Sequence, residues 1–240
     1  MHLVVFDIDA TRTNTNLTDG ECYWRAVCEV LGIHSEQPEW STFRHVTDLG
    51  IASELCMRYL GRQLTSADIE ALGRRLTDLL GVTLVPQDNP AGYQIPGSAE
   101  ILSALSKSPD FALALATGAL LASAELKLRR ANLWNPFLPL ASSNDAISRE
   151  DIIRIAARRA RIAARRARIA ACGAGEKHSA PFTSFTYVGD GVWDAIAARV
   201  LGWRFIGIGS GEQAVRLRDV GAERLILHYL PAEAFFNLLV

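Results

Sequence analysis

The run Leu3-Val4-Val5-Phe6-Asp7-Ile8-Asp9-Ala10-Thr11 decides the reading of the chain. Its first four residues are apolar and rich in β-branching, the composition of a strand buried on both faces of a parallel sheet. It then ends in two carboxylates at i and i+2, which an extended chain presents on one side. Burying one aspartate costs free energy, and two together cost more unless a cation neutralises them. A hard divalent ion such as Mg2+ favours such oxygen ligands. Asp7 and Asp9 are therefore the leading candidates for chemistry.

Further strands of the same kind are expected at Phe111–Ala116, Thr183–Val188 and Trp203–Ile208, with helical patterns between them. Those patterns run over Ser98–Lys107, Ala119–Ala131, Ser148 to about Cys172, and Asp194–Leu201 before Gly202. Strands alternating with helices predict an α/β fold, a Rossmann-like, doubly wound parallel sheet with right-handed crossovers. Residues 17–90 break the alternation. Helices are expected there at Asp19–Leu31, Asp48–Leu60 and Ser66–Leu80, stopped by Gly32, Gly61 and Gly81 because glycine adopts the left-handed conformation cheaply. Thr65 or Ser66 is the expected N-cap of the third. The chain thus divides into a core, residues 1–16 and 91–240, and a helical insert, residues 17–90, returned through Pro86, Pro90 and Pro96-Gly97.

Two more strand ends carry polar groups. Tyr187-Val188-Gly189-Asp190-Gly191-Val192-Trp193-Asp194 is an apolar run ending in a carboxylate and a glycine turn, with Asp194 one helical turn on. Leu115-Ala116-Thr117-Gly118 ends in a hydroxyl and a glycine, suited to a phosphate oxygen at a helix N-terminus. In an open parallel sheet the carboxyl ends of the strands form the ligand edge, where Asp7, Asp9 and Asp190 converge.

At this point the sequence resembles the haloacid dehalogenase superfamily of hydrolases. DxDxT, a strand ending in Thr-Gly, and GDGxxD occur in the family's order, and the insert is similar to its small helical cap. The resemblance implies a Mg2+-dependent phosphatase. It assigns Asp7 as the nucleophile that forms an aspartyl-phosphate and Asp9 as the general acid/base. It implies Mg2+ held by the Asp7 carboxylate, the Asp9 carbonyl and Asp190, with Asp194 as an outer contact, and Thr117 and Gly118 on the phosphoryl group. The family's third motif is usually a lysine. Here Lys107 and Lys177 precede their strands and Lys127 lies well along a helix. Arg149, at a helix start behind the expected N-cap Ser148, is the residue predicted to hold the phosphate charge. The pattern departs again at Ala10-Thr11-Arg12, where the family commonly has Gly-Thr-Leu. Alanine is acceptable at negative φ and costly at positive φ. Arg12 either tunes substrate choice or points to solvent.

Composition narrows the partners. The 240 residues carry 25 basic and 26 acidic side chains, a net charge of -1, which gives no global attraction to nucleic acid or membranes. The cysteines Cys22, Cys28, Cys56 and Cys172 have no metal spacing, and the N-terminus lacks a signal-peptide pattern, so a cytoplasmic protein is expected. The five histidines form no ligand set. Trp24, Trp40 and Tyr23 read as core of the insert rather than a substrate platform, and Arg25, Arg44 and Arg58 as either surface or pocket. Arg154–Ala160 is repeated residue for residue as Arg161–Ala167. The repeat predicts a helix lengthened by duplication, with Ile155, Ile162 and Ile169 on one inward face and the arginines solvated. The expected partner is a small phosphorylated metabolite. A catalytically impaired regulatory relative, a phosphomutase or a dehalogenase on the same scaffold are the alternatives.

Overall fold

The computed structural model describes residues 1–172 and 182–239, which leaves Lys177 and His178 outside the described residues. Among them the chain forms a six-stranded, all-parallel sheet: β1 (His2–Phe6), β2 (Phe111–Ala116), β3 (Leu140–Ala141), β4 (Ser184–Gly189), β5 (Arg204–Ile208) and β6 (Leu225–Ile226). The strand order is β3-β2-β1-β4-β5-β6. Phe6 pairs in register with Leu115 on one side and Val188 on the other. The residues that follow these three strands therefore leave the sheet at one edge. The chain reverses direction across the sheet between β1 and β4, where an open α/β sheet gapes to admit a ligand.

Both faces of the sheet are covered. Val4, Phe6, Leu115 and Val188 pack against α4 (Ser98–Lys107), α5 (Leu121–Arg130) and α9 (Ala232–Leu239) through Ile101, Leu105, Leu128 and Phe235. Leu3, Val5, Ala114 and Tyr187 face the other way, onto α6 (Arg149–Cys172) and α7 (Val192–Leu201) through Ile152, Ile153, Ala156 and Ala197. This alternation is the two-residue period of a strand buried on both sides. The short β3 and β6, α8 (Gly211–Asp219) and α9 were not expected from periodicity.

Between β1 and β2 lie α1 (Asn16–Leu31), α2 (Asp48–Leu60) and α3 (Ser66–Thr83). They bury a second core of Ala26, Val27, Leu55, Cys56, Leu72 and Leu76. Gly32 and Gly61 end α1 and α2 at φ 66° and 63°, and Thr65 caps α3 in a reciprocal box with Asp68. Gly81 does not stop α3. The helix continues to Thr83 and ends at Leu84, whose buried side chain belongs to the same core. The duplicated heptads also depart from expectation. Among the described side chains of α6 the last buried one is Ala160, Ile155 is half-buried and Ile162 is 47% exposed, so the second copy does not keep its isoleucine inward; the side chain of Ile169 lies outside the described ones.

Candidate active site

Asp7 leaves β1 with its N–H bonded to the Val188 carbonyl (2.8 Å), and the residue is only 4% exposed. Gly118, in the loop after β2, admits Arg149 closely: a Cβ there would lie 2.7 Å from the guanidinium and 3.1 Å from the Val46 carbonyl. Arg149 is the first residue of α6, and Ser148 caps that helix by accepting from the Asp151 N–H (3.2 Å). From there Arg149 donates to Asp7 Oδ1 (3.0 Å) and the Val46 carbonyl (3.2 Å) and lies 3.4 Å from Asp194 Oδ1. Burial lowers the guanidinium's proton affinity, but the neighbouring carboxylates, Asp194 foremost with Asp7 and Asp190, overcome this and hold it protonated.

Asp194 sits in the first turn of α7, wholly buried, and accepts from the Tyr187 hydroxyl (3.1 Å) and the Gly191 N–H (3.0 Å). Gly189 makes room for it, since a Cβ there would lie 2.6 Å from its carboxylate. Asp190 accepts from Thr11 Oγ1 (3.3 Å) and from Gln213 Nε2 (2.8 Å). Oxygens of Asp7, Asp190 and Asp194 all lie within 4.8 Å of one another. Burial first, and the neighbouring carboxylates second, raise Asp7 well above the usual range and Asp190 to about 8. Three carboxylates compressed around a single guanidinium repel one another, and the set suits a hard divalent cation.

Asp9 borders the same cavity, but its carboxylate faces another cation. Lys127, fully buried on α5, bridges Asp9 Oδ2 (2.6 Å) and Asp19 Oδ1 of α1 (2.8 Å), and Thr15 donates to Asp9 Oδ1 (3.1 Å). Helix periodicity alone did not show where Lys127 pointed. Thr117 lines the cavity and accepts from the Ala119 N–H (3.1 Å), but it is not the helix cap, because α5 begins only at Leu121. The cavity, about 270 Å³, brings together Asp7, Asp9, Thr117, Gly118, Arg149 and Asp190, with Asp194 behind them.

Its outer wall comes from Asn16 and the insert. Asn16, Asp19, Gly20 and Tyr23 lie on one face of α1, at helical spacing. Asp48, the first residue of α2, accepts from the Leu120 N–H (2.8 Å), and Trp40 completes the wall. Tyr23 and Trp40 are thus pocket residues as well as core, whereas Trp24 only packs in the core. Arg25 and Arg58 pair with Glu29 and Glu54 at the surface, and neither they nor Arg44 border this cavity. Ala10 has φ +49°, the conformation in which a side chain costs energy. Arg12 neither lines the cavity nor reaches solvent; it is 1% exposed, beneath the site. Asp19, Asp48 and Gln213 were missed by the sequence reading.

No family model and no curated protein matches the chain. Solved structures do resemble it. A hydrolase from Pseudomonas syringae superposes over 99% of this chain and 98% of its own, with TM-score 0.69 and 19% identity. A haloacid dehalogenase-like family hydrolase from Streptococcus pneumoniae covers 98% and 97%, with TM-score 0.53 and 18% identity. CbbY from Rhodobacter sphaeroides, in complex with xylulose-1,5-bisphosphate, covers 95% of each chain with TM-score 0.60 and 18% identity. The strand order, the acidic residues at the strand ends and these superpositions together identify the fold as that of the haloacid dehalogenase-like hydrolases.

Proposed function

We propose that the chain is a Mg2+-dependent phosphatase that hydrolyses a small-molecule phosphomonoester through an aspartyl-phosphate on Asp7. The observation that carries this reading is the convergence of Asp7, Asp190 and Asp194 within 4.8 Å at the strand ends, with Arg149 on Asp7. In this reading residues 1–16 and 91–240 are the catalytic core and residues 17–90 a cap over it. The free thiols of Cys22, Cys28 and Cys56 fit a reducing, cytoplasmic setting.

The carboxylates fit the metal, because their mutual repulsion in a buried site is what a divalent cation relieves. Asp7 and Asp190, the Asp9 carbonyl and Asp194 at longer range would hold Mg2+, which supplies charge neutralisation for the phosphoryl oxygens. Arg149 fixes one oxygen of Asp7, while the other has no protein donor among the described residues and is free to attack phosphorus. Thr117 and the Gly118 backbone orient the phosphoryl group, and Arg149 adds positive charge where the equatorial oxygens gain negative charge. Asp9 gives its proton to the leaving alkoxide and later takes one from the attacking water. To do so its carboxyl swings from Lys127 and Thr15 toward the ester oxygen.

The test is release of inorganic phosphate from an aryl phosphate with Mg2+, with EDTA, and with Asp7→Asn. Metal-dependent turnover that vanishes in the variant supports the proposal. Equal turnover with EDTA, or in Asp7→Asn, refutes it.

A further inference from the structure

The cavity holds a second set of carboxylates that phosphoryl chemistry does not explain. Asp19 and Asp48 form its outer wall, and Asp9 lies behind them, with Lys127 as the cation shared by Asp9 and Asp19. Asp48 is 9% exposed. Its Oδ2 accepts from the Leu120 N–H, and among the described residues its Oδ1 has no donor although the residue lines the cavity. Asp19 gives one oxygen to Lys127, and among the described residues the other has no protein partner. Burial first, and the Asp19 charge second, raise Asp48 to about 8. Aromatic rings stand beside them, Tyr23 and Trp40 meeting edge to face at 5.9 Å. No lysine or arginine of the insert borders the cavity, and Arg149 is already committed to Asp7.

This set does not suit a metal ion. Among the described residues only Asp7, Asp190 and Asp194 bring three ligand atoms within 4.8 Å. Acceptors spread further apart, in a cavity that Tyr23 and Trp40 also line, fit an alkylammonium group, which takes carboxylates as hydrogen-bond acceptors and rings as cation–π partners. A second phosphate or a carboxylate on the substrate would find no uncommitted lysine or arginine on that wall, because Lys127 is already bridged between Asp9 and Asp19.

We infer that Asp19 and Asp48, with the Tyr23 and Trp40 rings, select a cationic leaving group, so that the preferred substrates are aminoalkyl phosphate monoesters. This rests on the phosphatase reading above and names the substrate class of that site. The chemical step is unchanged. The Asp7 oxygen–phosphorus bond forms as the bridging phosphorus–oxygen bond breaks, and the Asp9 proton goes to the departing amino alcohol. Water then attacks phosphorus, gives its proton to Asp9 and frees Asp7.

The experiment compares kcat/KM for 2-aminoethyl phosphate, neutral 2-hydroxyethyl phosphate and anionic phosphoglycolate, in wild type and in Asp48→Asn and Asp19→Asn. The ammonium ester is expected to lead the neutral one by roughly tenfold or more, with the anionic ester last. Each variant should shrink the first ratio, and Asp48→Asn keeps an acceptor for the Leu120 N–H so that it still folds. Equal rates for the ammonium and neutral esters, or a lead for the anionic one, overturn the inference. Calorimetric binding of the same three esters to Asp7→Asn gives a readout independent of turnover. Ammonium-selective binding that weakens on adding Asp48→Asn supports the inference even if no ester is hydrolysed, an outcome that refutes only the phosphatase reading. Equal binding overturns it.

Discussion

Replacing Arg12 by leucine should stabilise the protein. The main chain at Arg12 is well satisfied, since its carbonyl accepts from the Ile95 N–H and from Ser98 Oγ, each at 3.1 Å. Its side chain is not. Nε, Nη1 and Nη2 are all buried without a hydrogen-bond partner, and the nearest compensation is the Phe6 ring, 5.2 Å from the guanidinium carbon. Burial lowers the guanidinium to about 10. Against an ordinary value of about 12.5, that displacement corresponds to about 3 kcal/mol against the charged form. A desolvated cation–π contact returns about 1–2 kcal/mol. Leucine keeps the apolar contacts of the stem and removes the charge. Arg12→Leu should therefore gain about 1–2 kcal/mol in urea unfolding with an unchanged m-value, and raise Tm by about 2–8 °C for a chain of this size. A loss of stability, or a gain accompanied by a lower m-value, would refute the reasoning. Either result would mean that the guanidinium is solvated or partnered in solution.

Ala10→Gly relieves a left-handed residue and should add about 0.5–1 kcal/mol, measured in the same unfolding assay. Lys127→Met leaves Asp9 and Asp19 buried without their shared cation and should cost about 3–5 kcal/mol, part of it recovered by adding Asp19→Asn. Gly118→Ala drives a methyl group into the Arg149 guanidinium, so phosphate release should fall by about tenfold or more while the Tm gain from Mg2+ persists. The pH dependence has a definite sign. Burial and Asp194 raise Asp190 to about 8, so without metal the folded state binds more protons than the unfolded state between about pH 4 and pH 8. Stability without metal should fall as pH rises through that window, and the Tm gain from saturating Mg2+ should be larger at pH 8 than at pH 5.5. A gain that shrinks with pH would count against these carboxylates as the metal site.

What the sequence made legible were the groups announced by local grammar. β1, β2, β4 and β5 are apolar runs long enough to read, and the polar residues at the ends of β1, β2 and β4 mark the ligand edge without any fold in hand. Arg149 was found because a helix start behind Ser148 has a fixed place in a doubly wound sheet. β3 and β6, two residues each, are set by their neighbours rather than by their own pattern. Asp19 and Asp48 escaped notice because an acidic residue in the first turn of a helix already has a sufficient local reason, the helix dipole. Only tertiary packing shows that they also face a cavity. Lys127 was ambiguous for a related reason, since a lysine near a helix C-terminus is usually solvated. The choice between strain and ease at Ala10 depended on φ, which composition does not encode.

The duplicated helix has a genetic consequence. Copying by whole heptads restores nearly the same angular phase, so each added unit extends the arginine stripe without rotating what precedes it. The side that must stay fixed is the N-terminal one, where Arg149 meets Asp7 and where Ile152, Ile153, Ala156 and Ala160 anchor the helix. The second copy lies downstream of that anchor, with Ile162 open to solvent. A change in the number of these heptads would therefore fall downstream of the residues that hold Arg149 against Asp7.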